Sequence, residues 1–150
     1  MKNDYLAKVR SINATIAVTF KTPKVAVLSN QLLEVPSPLS ARDTDFFEQE
    51  VLRLFYINMS RLVRFELVAY PEDRSKEDNS FVPLHYHAVI RSENDAKFIA
   101  IAERKYAAVL ESVYSKHFSK IIMPRKPLWI SKINRDDPEK SYEAYILKHY

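Results

Sequence analysis

A chain of 150 residues with a formal net charge of +4 and a pI near 9.2 can bury one domain's core, and its basic balance suits a polyanionic partner. With no cysteine and no glycine it excludes disulfide frameworks, thiolate zinc sites and cysteine nucleophiles, and with them the P-loop and the dinucleotide-binding turn. Any phosphate must be held by side chains, helix N-termini or a metal. No apolar run approaches the ~20 residues of a membrane span and no secretory signal opens the chain, so no membrane partner is expected and the expected setting is intracellular.

Residues 15–21 alternate, with Ile16, Val18 and Phe20 on one face and Thr15, Ala17, Thr19 and Lys21 on the other, which predicts a half-buried strand. The short apolar run Val25–Leu28 is expected to pair beside it, and residues 31–42 read as an irregular linker. Residues 43–62 carry Phe47, Val51, Leu54, Phe55 and Leu62 at helical spacing, with Asp45 and Glu48 placed for N-terminal capping. Residues 63–70 alternate again: Phe65, Leu67 and Ala69 face one way, Arg64, Glu66 and Val68 the other. A charged loop, 71–80, leads to a strand with Leu84, Tyr86, Ala88 and Ile90 on its apolar face and His85, His87, Val89 and Arg91 opposite.

Residues 92–118 give the longest helical pattern, opened by Ser92 with Asp95 three residues on. A basic stretch, 120–126, precedes another strand over 128–133. Asp137-Pro138 then starts a last helix, with Tyr142, Tyr145, Ile146 and His149 on one face. This order predicts a single α+β domain over 1–150, with a largely antiparallel sheet and helices on one side.

Two features carry chemistry. Two of the chain's four histidines, His85 and His87, project from the same strand face. Taken singly, each reads as an ordinary structural or exposed histidine. The preceding strand brings Glu66 beside this face through a hairpin, and two imidazoles plus a carboxylate with open positions suit Mn²⁺ or Mg²⁺ better than a closed structural zinc site. The second feature is Tyr145, which has Lys148 and His149 on its own helix face. A tyrosine of ordinary pKa, about 10, needs such a neighbouring cation to act as a nucleophile. Tyr142 and Tyr150 are its rivals. Metal and tyrosine together point to phosphodiester chemistry through a covalent tyrosyl intermediate. Lys21, Lys24, Lys120, Arg125, Lys126, Lys132 and Arg135 are candidates to line a basic groove for DNA, although each alone also reads as a solvated surface charge.

His85-Tyr86-His87 resembles the His-hydrophobic-His signature of the HUH endonucleases, which include rolling-circle replication initiators (Rep proteins), relaxases and single-tyrosine transposases. Ala17-Val18-Thr19-Phe20 resembles the first motif of small Rep proteins, and Tyr145-Ile146-Leu147-Lys148 looks like their third, YxxK. The three occur in the family's order and bracket almost the whole chain. The resemblance implies a five-stranded antiparallel sheet, a metal held by two histidines and an acid, and Tyr145 attacking a phosphate of single-stranded or hairpin origin DNA. The products are a 5′-phosphotyrosine and a free 3′-hydroxyl, the chemistry that initiates and terminates rolling-circle replication of a plasmid or virus in its host cell's cytoplasm. For the acid it implies Glu66 on the strand before the histidines. The distance from Glu66 to His85 exceeds the family's pattern, so Glu72 and Asp73 stay open, as does His149, which sits where single-tyrosine transposases place their third ligand. Unwinding would fall to a host or separate helicase. A transposase or relaxase, and a non-catalytic nucleic-acid-binding module, are the alternative readings.

Overall fold

The computed structural model describes residues 7, 11–23, 25–28, 44–74, 77–78 and 81–133. The alternating segments form strands: β1 (Ile16–Lys21), β2 (Val25–Leu28), β3 (Phe65–Arg74), β4 (Phe81–Ser92), β5 (Phe118–Ile122) and β6 (Leu128–Lys132). Four make an antiparallel sheet in the order β3-β4-β1-β6, and β2 with β5 makes a separate two-stranded ribbon. The coarse expectation therefore holds: the chain is α+β, built on an antiparallel sheet.

The sheet's core face follows from period two. Ile16, Val18 and Phe20 of β1 stand opposite Ile90, Ala88 and Tyr86 of β4, and all six are buried. Helical segments cover them. Thr44–Phe46 (α1) continues through a π-helical stretch, Phe47–Leu52, into Arg53–Ser60 (α2), and Asp95–His117 forms α3. Phe47, Phe55, Met59, Phe98, Tyr106 and Leu110 pack onto the sheet. Phe20 meets the Phe55 ring edge-on at 5.4 Å and the Tyr106 ring at 5.0 Å.

Tyr86 points from between the two histidines into this layer. It stacks on Phe47 at 4.9 Å, and its hydroxyl donates to Glu48 Oε2 at 2.9 Å. Burial, and then the Glu48 carboxylate, keep that hydroxyl protonated well above the usual tyrosine range. Glu48 thus serves Tyr86 rather than a helix cap. Tyr86→Ala should lower the unfolding free energy by about 3 kcal/mol in a denaturant titration, as aromatic truncations in packed cores do.

Four local expectations are corrected. β3 does not stop before Pro71 but runs on through Arg74. A proline lacks the N–H that a central strand must donate, yet among the described residues β3 lies at the sheet's edge, where one side of the backbone needs no partner. β2 does not lie beside β1, because β4 and β6 already occupy both edges of β1; it pairs with β5, which takes up the first part of the basic stretch. The cap of α3 is Asn94, whose side chain accepts from Lys97 N–H at 3.1 Å. Ser92 is still paired with Phe65 in the sheet and donates to Asp95 Oδ1 at 2.8 Å. The sheet has four strands, not five, among the described residues.

The second face of the sheet is divided. Toward one end, Ala14 and Val89 are buried with Ile12, Ala17, Val68, Tyr70 and Ile133 against them. The other end is polar. No helix among the described residues is long and apolar enough to cross a membrane. The helix expected after Asp137-Pro138 lies outside the described residues.

Candidate metal centre

The polar end of the second face gathers side chains by register. His85 of β4 stands between Glu72 of β3 and Lys21 of β1, and His87 stands between Tyr70 and Thr19. Glu72 Oε2 lies 2.7 Å from His87 Nε2 and 3.3 Å from His85 Nε2. The two imidazole rings meet edge to face with centroids 4.9 Å apart. One ligand atom from each of the three residues lies within 4.8 Å of the others, so the cluster could hold a divalent metal.

The donor set fits such an ion. An octahedral ion bound at about 2.1 Å spaces adjacent ligand atoms about 3 Å apart, the scale of the two Glu72 contacts. His85 Nδ1 is 2.9 Å from the Pro83 carbonyl oxygen. A carbonyl only accepts, so Nδ1 carries a proton, and Nε2, which faces Glu72, is the nitrogen that a neutral His85 ring would offer to a metal. Thr19 Oγ1 lies 3.4 Å from His87 Nδ1 and steadies that ring from the β1 side. Side-chain exposures of 24% for His85, 10% for His87 and 16% for Glu72 leave the cluster sheltered but reachable.

Backbone locks hold the scaffold around it. Thr22, itself buried, donates to the Leu84 carbonyl at 2.7 Å, and the Tyr106 hydroxyl donates to the Lys21 carbonyl. These tie the end of β1 to β4 and to α3, which keeps Lys21 alongside His85. The histidines open into a cleft of about 460 Å³ whose walls include Thr19, Lys21, Pro83 and Arg125.

The carboxylate in the cluster is Glu72, an open alternative in the sequence, and not Glu66. Glu66 shares the histidines' face but pairs with Arg91, six residues before Glu72 along β3. At ~3.3 Å per residue that is about 20 Å away. The continuation of β3 past Pro71 brings Glu72 into the place, and Asp73 is not part of the cluster. Mn²⁺ titration of the variants separates the two acids: Glu72→Ala should weaken binding by at least about tenfold, the loss that even outer partners of metal ligands produce, while Glu66→Ala should leave it unchanged.

Of the basic candidates, Lys21 and Arg125 line the cleft, and Lys126 stands over the ring of Trp129. Lys132 pairs with Ile16, a core-facing residue, and therefore leaves from the opposite side of the sheet. Lys120 belongs to the ribbon, on β5. Lys24, Arg135, Tyr145, Lys148 and His149 lie outside the described residues. The fourth histidine, His117, packs edge-on against Phe46 away from the cluster. Trp129 was not singled out in the sequence, although its parity, one step off the core residues Leu128 and Ile130, puts it on the histidine face.

No protein-family model and no curated protein matches the chain. Among solved structures it is similar to an EthD-like protein from Ralstonia eutropha, at 12% identity and a TM-score of 0.44, over 84% of this chain and 97% of that one. It is also similar to a hydantoinase/carbamoylase family amidase from Burkholderia ambifaria, at 15% identity and a TM-score of 0.38, over 82% of this chain and 29% of the amidase. Likenesses this distant carry no conclusion about chemistry.

Proposed function

We propose that this protein is a metal-dependent endonuclease of the HUH type that nicks and rejoins single-stranded or hairpin DNA through a 5′-phosphotyrosine. Its biological setting would be the origin of a rolling-circle plasmid or virus, with a separate helicase as partner. One observation carries the reading. Glu72 clusters with His85 and His87, the two histidines open into a cleft that Lys21 and Arg125 also line, and two histidines with an acid are the metal set that the HUH resemblance implies.

His85, His87 and Glu72 would hold Mn²⁺ or Mg²⁺, with imidazole nitrogens favouring Mn²⁺ of the two. When bound, such an ion supplies Lewis-acid polarisation of a non-bridging phosphate oxygen. Lys21 and Arg125 would clamp the strand's phosphates beside it. Tyr145 Oη attacks phosphorus in line, the P–O3′ bond breaks, and the 3′-oxygen leaves and takes up a proton. Lys148 stabilises the Tyr145 phenolate before attack. The phosphotyrosine conserves the bond's energy, so the freed 3′-hydroxyl can reverse the step and rejoin ends. Single-tyrosine transposases and relaxases would use the same steps at other DNA.

The test incubates the full chain and Mn²⁺ with a randomised library of single-stranded and hairpin oligonucleotides. A protein–DNA adduct that survives denaturing electrophoresis is expected, and sequencing its DNA gives the target. Absence of adduct and of nicked product across the library would refute the reading.

A further inference from the structure

We propose that Trp129 is the platform on which a base of the single-stranded substrate stacks beside the metal centre, with Lys21 and Lys126 taking the adjoining phosphates. The inference rests on the reading of the substrate as single-stranded DNA. Trp129 is 52% exposed, on the face opposite to its strand neighbours Leu128 and Ile130, which pack toward the core. A tryptophan left this exposed offers a large flat ring to a ligand, and the register sets it on the sheet face that carries the histidines.

Its position is set by the sheet. Trp129 pairs with Thr19, and Thr19 pairs with His87, so the three side chains form a rank across one face. Two strand spacings put the indole about 10 Å from His87, close to the reacting phosphate without occupying its place.

Its company is cationic. Lys21 Nζ lies 5.3 Å from the ring centroid and Lys126 Nζ lies 4.7 Å from it. Arg125, next to Lys126 in the chain, lines the adjoining cleft. An aromatic face with ammonium groups over it matches a ligand that alternates flat rings with negative charges. Single-stranded nucleic acid has that alternation. A duplex hides its bases, and an acidic peptide offers the charges without a regular supply of rings. A base entering the stack would displace a lysine from the indole, and the released ammonium would sit within reach of the neighbouring phosphate.

The chain has one tryptophan, so its emission reports this site alone. The full chain, with divalent ions chelated, is titrated with oligothymidylate, with a strand of equal length made of abasic residues, with duplex DNA and with polyglutamate. Oligothymidylate should quench the emission, and the other three should not quench comparably. In polarisation measurements with labelled strands, Trp129→Ala should weaken oligothymidylate binding by about tenfold to a hundredfold. Trp129→Phe should retain most of the affinity, and neither change should alter binding of the abasic strand. Equal quenching by the abasic strand or by polyglutamate, unchanged affinity in Trp129→Ala, or no binding of oligothymidylate would each overturn the proposal. Quenching with the Trp129→Ala loss but no nicking would retain this inference and refute the nuclease chemistry. Nicking without quenching would do the reverse.

Discussion

His85→Ala and His87→Ala should each abolish metal-dependent cleavage while leaving the protein folded. Both side chains stand on the sheet's second face, outside the aromatic layer under Tyr86, so their loss opens no cavity in the main core. Glu72 would keep one imidazole and partial access to water, which spares it an unpaired burial. The site itself would drop to two ligands. Lewis-acid stabilisation of several kcal/mol at ~1.4 kcal/mol per decade corresponds to a loss of a thousandfold or more in rate. Thermal melts alongside single-turnover cleavage of a labelled strand measure both halves of the statement. Wild-type rates in both variants would remove the metal from the mechanism.

Tyr145→Phe should eliminate the covalent adduct on a denaturing gel, and Tyr142→Phe should preserve it. In the sequence Asp137-Pro138 reads as a strong helix start, and a helix counted from it would put Tyr145 about two turns in. Tyr145 has Lys148 three residues on, where an ammonium can stabilise a phenolate. Tyr142 has Tyr145 itself in that place. The substitution removes a single oxygen, so a missing adduct would reflect chemistry and not packing. Survival of the adduct in Tyr145→Phe with its loss in Tyr142→Phe would reassign the nucleophile.

The parts legible in the sequence were those a local period records. The alternation in β1 and β4 gives the buried residues Ile16, Val18, Phe20, Leu84, Tyr86, Ala88 and Ile90, and it gives the shared face of His85 and His87. What failed depended on neighbours far along the chain. Pro71 reads as a terminator because a proline is costly in a central strand, and only the sheet order reveals that β3 is at an edge where it is tolerated. A strand that ends at Tyr70 stops two residues short of the carboxylate, which favours Glu66 and leaves Glu72 and Asp73 as open alternatives. The partner of β2 likewise depends on β6 closing the far side of β1. Lys132 was a different kind of miss. Its parity with Leu128 and Ile130 already put it on the core side, but its charge drew it into the groove.

The edge position of β3 has a consequence for how the sheet holds together. The imidazoles come from an inner strand with partners on both sides, while the carboxylate comes from the outermost strand, just before a register irregularity between Glu72 and Arg74. Outer strands are the first to fray, since only one ladder restrains them. An ion gripped by Glu72 and both histidines would act as a clasp on that margin, and at a hundred times its dissociation constant it would hold the closed form by about 2.7 kcal/mol. Loading the centre and fastening the margin are then one equilibrium. Peeling β3 would release the ion, and starving the protein of metal would loosen β3.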